Sequence, residues 1–347
     1  MALSEPLVQE ELSGPLLQRA PVRTLVVFRA LQLGDMLCAV PALRALRAAL
    51  PHTHICLVGL PWAAQFADRF THYIDEFIAF PGHPAFPEQA VQEHFIPGFY
   101  EALRARQFDL AIQMHGSGQI SNRVVNDFGA RLMAGYVSTD AAQADPLCFL
   151  AYPETGAEPL RLLALAEFLG APSCGSELEF PLTDQDEEEL RASRIAAELT
   201  PGAYICIHPG ARMRDKCWPP QRFAEVADRL AREFGFPVVL TGSAKEADLT
   251  AAVAQHMQTR AIDAAAPISI GAMAALMSRA RLLVCNDTGV SHIAAGLKLP
   301  SVVIFSKADI ERWAPLDRDL HRCIWDPQGQ ELASVLEQAR LLLQRTA

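Results

Sequence analysis

From residue 24 the chain alternates short apolar runs with longer stretches whose apolar positions recur at helical spacing. Thr24-Leu-Val-Val-Phe28 predicts a buried strand. The loop Arg29 to Asp35 leads into Met36 to Leu50, rich in Ala, Leu and Arg, which predicts a helix. The unit then repeats: strand His54–Gly59, a short helix from Trp62, strand Glu76–Phe80, a Pro-rich loop, a helix ending near Arg106, and strand Asp109–Gln113. A second series starts at the strand Tyr204–His208. It continues with a helix from Gln221, strand Pro237–Thr241, a helix from Lys245, a helix over Ile270 to Ala280, strand Leu282–Asn286, a helix from Thr288, and strand Ser301–Phe305. Glu158 to Leu169 reads as helical, and the acidic run Asp184 to Glu189 as the start of a linking helix.

Strands alternating with helices imply a parallel, doubly wound sheet. The restart at Tyr204 implies two of them, which 347 residues accommodate. The expected organisation is a polar leader over 1–20, an N-terminal α/β domain over 21–185, a C-terminal α/β domain over 186–325, and a final helix over 326–347 that packs across the interdomain cleft or against either domain. Such sheets receive ligands at the carboxyl ends of their strands, so two of them facing a cleft suit a two-substrate reaction.

Composition narrows the chemistry. Half of the residues are hydrophobic and 20% are charged, as in a globular chain. The formal net charge of −10 offers no general basic field, so nucleic acid is not an expected partner. The eight cysteines are scattered singly without Cys-x-x-Cys, which fits a reducing cytosol. The first twenty residues lack a signal-peptide pattern, and no apolar stretch approaches the roughly 20 residues that span a bilayer, so any membrane contact is expected to be peripheral.

Lysine occurs only at Lys216, Lys245, Lys298 and Lys307, which directs attention to the loop His208-Pro-Gly-Ala-Arg-Met-Arg-Asp-Lys216-Cys-Trp-Pro219. Its three cations after a strand suit a departing phosphate, with Lys216 as a mobile point charge and Arg212 or Arg214 as a bidentate partner; the alternative is a solvated basic loop. Trp218 and Pro219 are expected to set packing and the helix start. Asn286-Asp287-Thr288-Gly289-Val290-Ser291-His292 joins a buried strand to a helix N-terminus, where backbone amides, the hydroxyls of Thr288 and Ser291, and His292 can hold a nucleotide diphosphate. Capping of the helix by Asp287 or Thr288 is the plainer reading. Glu246, in Thr241-Gly-Ser-Ala-Lys-Glu246, is either a ribose contact or a first-turn helix acid.

In the first half, Arg29-Ala-Leu-Gln-Leu-Gly34-Asp35 brings a carboxylate to the other lip of the expected cleft. Asp35 is the candidate general base, or else an N-cap. One base and a stabilised leaving group suffice for a direct displacement with inversion, because a nucleoside diphosphate leaves without protonation by a second carboxylate. No cluster has metal-ligand spacing, so neither a metal nor another cofactor is expected.

The Gly-Asp loop, the His-Pro-Gly loop running to Lys-x-Trp-Pro, the Gly-x-x-x-Glu turn and Asp-Thr-Gly-x-x-His occur in that order. On these motifs the chain resembles glycosyltransferase family 9, the ADP-heptose-using lipopolysaccharide heptosyltransferases, from about Arg23 to Pro315. The resemblance implies a GT-B fold with an N-terminal acceptor domain and a C-terminal nucleotide-sugar domain. It implies ADP-L-glycero-β-D-manno-heptose as donor, the lipopolysaccharide inner core or a related glycan as acceptor, and work at the cytoplasmic face of the inner membrane. It assigns Asp35 as base, with Arg29 and Gly34 in its acceptor or phosphate loop, Lys216 to phosphate, Glu246 to ribose, and Asp287, Thr288, Gly289 and His292 to the donor cradle. One departure is visible: family members commonly carry Thr or Ser after the His-Pro-Gly turn, where Ala211, Arg212 and Met213 stand here. Either Arg212 replaces that hydroxyl with a charge, or the chain uses another sugar or acceptor. A nucleotide-sugar 2-epimerase and a non-catalytic nucleotide-sugar sensor are the alternatives that the same architecture allows.

Overall fold

The computed structural model describes residues 14–19, 21–138, 145–265 and 268–345. They fall into two compact units, 1–176 and 177–347. Residues 1–13 of the expected leader lie outside the described residues.

The first unit runs α1 (Leu16–Arg19), β1 (Thr24–Phe28), α2 (Leu33–Cys38), α3 (Val40–Ala49), β2 (His54–Gly59), α4 (Ala64–Arg69), β3 (Glu76–Ala79), α5 (Ile96–Ala105), β4 (Leu110–Gln113), α6 (Ser121–Asn126), β5 (Leu132–Val137), β6 (Phe149–Ala151) and α7 (Glu158–Phe168). Among the described residues its strands form one parallel sheet in the order β3-β2-β1-β4-β5-β6, with Val26 opposite Cys56 on one side and Ala111 on the other. Val26, Phe28, Val58, Phe80, Phe108 and Phe128 fill a core on one face of this sheet.

The helix expected over Met36 to Leu50 is two helices that meet at Ala39, with Pro41 in the first turn of α3, where a missing N–H is harmless. It also starts earlier. Gly34 and Asp35 lie inside the first turn of α2 rather than in a loop, and Gln32 rather than Asp35 occupies the N-cap position.

The second unit runs α8 (Asp184–Ser193), β7 (Ile205–His208), α9 (Pro220–Phe234), β8 (Val238–Thr241), α10 (Ala247–His256), β9 (Ala261–Ala264), α11 (Ile270–Ser278), β10 (Leu282–Asn286), α12 (Gly289–Gly296), β11 (Ser301–Phe305), α13 (Ile310–Trp313), β12 (His321–Trp325) and α14 (Leu332–Gln344). Its parallel sheet has the order β12-β11-β10-β7-β8-β9 among the described residues. The acidic run does start a helix: Thr183 accepts from the Asp186 N–H, and Asp186 accepts from the Thr183 N–H, a reciprocal cap at the end of the helix that favours negative charge. The final helix α14 puts Val335, Leu336, Ala339, Leu342 and Leu343 into the core of this second unit.

Chain order reverses between β1 and β4 in the first sheet and between β7 and β10 in the second. At such switch points the loops leave in opposite directions and open a crevice outside the carboxyl ends of the strands. The loops concerned follow Phe28 and Gln113 in one unit, and His208 and Asn286 in the other.

The segment entering α8 is held tightly to α12. A Cβ on Gly296, the last residue of α12, would lie 2.7 Å from the Glu179 carbonyl carbon and 2.8 Å from the Phe180 nitrogen, both backbone atoms with little freedom to yield. Gly296→Ala is expected to lower stability by about 1–3 kcal/mol through overpacking. A urea midpoint equal to that of the unsubstituted chain would contradict this.

Candidate functional site

In the second unit, a buried amide at the switch point builds the site. Asn286 ends β10 with its side chain fully buried. Its Oδ1 accepts from the Trp218 N–H at 2.9 Å, and its Nδ2 donates to the Pro209 carbonyl at 2.8 Å and the Gly210 carbonyl at 3.4 Å. One side chain thus clamps both ends of the loop 209–218. Trp218 closes the loop from below, edge-on to Phe223 at 5.2 Å, with its Nε1 donating to Asp326 at 2.7 Å. Pro219 is the N-cap residue of α9 and Pro220 its first residue, so the expectation that Trp218 and Pro219 serve packing and the helix start agrees with the geometry.

With its ends fixed, the loop presents Lys216. Its carbonyl accepts from the Ser306 hydroxyl at 3.0 Å, and its Nζ lies 3.1 Å from Asp287 Oδ2. Two segments 71 positions apart therefore meet through their charges. Lys216 is a quarter exposed, whereas Asp287 is almost wholly buried. Burial pushes the Asp287 carboxyl above its ordinary range, against the pull of the Lys216 charge and hydrogen bond.

The start of α12 differs in detail from expectation. Thr288 is the N-cap residue, but its side chain makes no capping hydrogen bond. The Asp287 N–H continues the sheet to Ile304 at 2.8 Å, so it is not offered to a ligand. Ser291, expected to add a hydroxyl donor, is buried and donates to the Thr288 carbonyl at 2.7 Å. The amides of Gly289 and Val290 remain as first-turn donors without an intrahelical acceptor. His292, expected at the first turn, stands fourth in the helix and is 4% exposed.

Glu246 closes the adjoining side. Its Oε2 accepts from the Ser243 N–H at 2.8 Å and hydroxyl at 2.6 Å, a capping box that realises the first-turn-acid alternative. Its Oε1 faces His208 Nε2 at 4.0 Å and lies over Gly210, where any Cβ would collide with it. Burial drives the His208 imidazole toward its neutral form, with Glu246 pulling the other way. Burial would raise the Glu246 carboxyl, yet the His208 charge, the two Ser243 hydrogen bonds and Arg214 hold it below its ordinary range. Of the loop's arginines, Arg212 is exposed. Arg214 is committed to the Lys245 carbonyl at 2.7 Å and Asp248 at 2.9 Å, so it is not positioned as a phosphate clamp.

In the first unit, Arg29 is 1% exposed and acts as an internal brace. Its Nε donates to the Asp35 carbonyl at 3.0 Å, its Nη1 to the Met114 carbonyl, and its Nη2 to Glu158 at 3.1 Å. The guanidinium therefore fixes the backbone that carries the half-exposed Asp35, rather than reaching a phosphate. Glu158 also pairs with Arg161 at 3.4 Å, and Arg161 stacks over Tyr152 at 4.4 Å. Gln113, fully buried at the end of β4, donates to the His115 carbonyl and accepts from the Tyr136 N–H at 3.2 Å.

Asn286, Ser306, Glu158, Gln113 and His115 are absent from the sequence-derived site. Asn286 and Gln113 carried a usable signal, a polar side chain closing an otherwise apolar strand. Glu158 did not, since its partner lies 129 positions away. Among the described residues no three His, Cys, Asp or Glu side chains are grouped to hold a metal ion, and no helix is long and apolar enough to cross a membrane.

Residues 98–341 match the model of glycosyltransferase family 9 (heptosyltransferase). Lipopolysaccharide heptosyltransferase 3 of Escherichia coli is 32% identical over 120 residues, which cover 34% of this chain and only 35% of that protein. Lipopolysaccharide heptosyltransferase 2 of Salmonella typhimurium is 26% identical over 301 residues, 82% of each chain. The solved structure of the E. coli ADP-heptose lipopolysaccharide heptosyltransferase II superposes with a TM-score of 0.71 at 22% identity, covering 93% of this chain and 99% of that one, which is a likeness of fold.

The buried imidazoles tie stability to pH. Burial, with Arg29 nearby, pushes His115 down to about 3, and burial pushes His321 down to about 4. Unfolded imidazoles titrate near 6.5. Between pH 6.5 and those lower values the unfolded chain therefore binds protons that the folded chain refuses, so stability is present above 6.5 and lost as pH falls. Each of the two is expected to cost about 2 kcal/mol at pH 5 relative to pH 7. Urea melts across that range check this, and the slope is expected to be shallower in His321→Gln; a flat profile would contradict it.

Proposed function

Because this chain belongs to glycosyltransferase family 9, a family of glycosyltransferase enzymes that includes heptosyltransferases of lipopolysaccharide core biosynthesis, we propose that it transfers heptose from ADP-L-glycero-β-D-manno-heptose, with inversion, to an inner-core or related glycan acceptor. The observation that carries the reading is the contact of Lys216 with Asp287 at the mouth of α12. It brings a cation together with two amide donors at the carboxyl edge of the sheet, an inventory suited to a diphosphate. The names of the relatives support the heptosyl donor.

In this reading Asp287 tethers Lys216 while the site is empty, and the ammonium turns to the diphosphate as it binds. An acceptor hydroxyl oxygen attacks the anomeric carbon, its proton passes to the Asp35 carboxylate, and the bond from that carbon to the diphosphate oxygen breaks, the electron pair leaving with ADP. Charge grows on the departing oxygen, where Lys216 and the Gly289 and Val290 amides oppose it. Arg212, standing where relatives carry a hydroxyl residue, adds a charge to the diphosphate grip, and Glu246 receives the ribose. Thr288 and His292 belong to the same donor cradle, and Gly34 leaves room beside Asp35 for the acceptor. The acceptor is expected at the cytoplasmic face of the inner membrane, reached by peripheral contact.

Calorimetric titration with ADP, UDP, GDP and CDP in EDTA tests the donor: ADP-selective binding is expected, and preference for UDP would overturn the proposed donor. Asp35→Asn is expected to keep ADP affinity and lose about 10²–10⁴-fold in kcat. Lys216→Ala is expected to lose about 10²–10³-fold in kcat and to weaken ADP. Wild-type transfer by Asp35→Asn would remove it as the base.

A further inference from the structure

His115 lies at the other switch point, and its surroundings fix what it can do. It follows β4 and is 8% exposed, with its ring stacked on Phe28 at 5.2 Å and tilted against Phe86 at 4.4 Å. The Ala30 N–H, in the loop that leads to Asp35, donates to its Nδ1 at 3.3 Å. A neutral imidazole that accepts at Nδ1 carries its proton on Nε2. That Nε2–H has no hydrogen-bond partner among the described residues. Burial and the nearby Arg29 charge keep the ring neutral throughout the physiological range. A second donor at the same carboxyl edge, the Nε1–H of Trp62 just beyond β2, is buried without an acceptor among the described residues.

The His115 Nε2–H is not sealed from solvent, so this oriented donor opens onto the crevice, where a ligand oxygen can take the place of water. The Arg29 guanidinium bridges the Asp35 and Met114 carbonyls, so His115 and Asp35 are set on either side of one brace, across the crevice between β1 and β4. A neutral donor matches an uncharged oxygen, whereas a phosphate or carboxylate would call for a cation. We propose that His115 is an acceptor-recognition residue whose Nε2–H holds a sugar hydroxyl oxygen of the glycan acceptor next to Asp35. This rests on the reading that the N-terminal unit receives the acceptor.

The test uses the full chain, ADP-heptose, and a de-acylated oligosaccharide from truncated lipopolysaccharide as the probe acceptor. His115→Phe, which keeps an aromatic ring but no donor, is expected to raise the acceptor KM about 10- to 100-fold, with kcat and ADP affinity little changed. Asp35→Asn is expected to do the reverse, so the two assignments fail separately. His115→Asn restores an acceptor near the Ala30 N–H without a donor at the Nε2 position. Full rescue by it would reduce His115 to a structural prop and overturn the proposal, as would a wild-type KM in His115→Phe. Labelling with diethyl pyrocarbonate, read by mass spectrometry, needs no transfer. His115 is expected to react in the free chain, and to be protected by the oligosaccharide but not by ADP. Failure to label, or labelling indifferent to the oligosaccharide, would overturn the proposal, whereas protection without any transfer from ADP-heptose would count against the donor alone.

Discussion

The second unit depends on the side chain of Asn286 more than on any other polar group. A parallel strand at the centre of a sheet ends in a buried environment, so the loops leaving it must satisfy their backbone groups without water. Asn286 does this for two loop ends at once, since an amide offers two N–H donors and a separate carbonyl acceptor, where a hydroxyl has a single proton to give. An aspartate of the same shape would face two carbonyls with no proton to give them. A leucine would leave three backbone groups unmet. The position of Lys216 follows from this clamp, because the cation sits two residues before Trp218, the clamped end of the loop.

The first unit solves the same problem with a charge. Arg29 collects two backbone carbonyls and Glu158, so a buried guanidinium is both neutralised and hydrogen-bonded. Removing one partner from such a pair leaves an uncompensated buried charge and costs about 3–5 kcal/mol. That constraint explains why α7, far along the chain, belongs structurally to the first turn of α2, which carries Asp35. Each half thus holds its switch-point segments with a buried polar side chain, Arg29 in one and Asn286 in the other.

The alternation of strands and helices was legible because parallel strands buried on both faces read as continuous apolar runs, as in Thr24–Phe28 and Leu282–Asn286. Of the edge strands, β3 was legible as Glu76–Phe80, but β9 and β12 were not. β12 alternates His321, Arg322 and Cys323, and β9 carries Asp263, because one side of an edge is wet. Lys216, Asp287 and Glu246 stand out in the sequence because each follows a strand, within a motif of fixed spacing, and the structure brings the first two into contact. What could not be read was which charges are already spoken for. Arg29 and Arg214 look like phosphate ligands until Glu158 and Asp248 are seen beside them. Ser291 looks like a donor until its hydroxyl is seen turned back on its own helix.

The Lys216–Asp287 pair shows why the charge there is a lysine. An arginine would hold a carboxylate with two parallel hydrogen bonds and release it reluctantly, whereas an ammonium on a flexible stem makes one contact and can turn. Burial already raises the free energy of the Asp287 carboxylate. In the proposed reaction the tether would hold Lys216 at the start of α12 until a diphosphate, which carries more charge at a helix N-terminus, took the cation over. On that proposal the cation would already stand beside the position where negative charge develops, so little of the barrier would be spent on bringing it there.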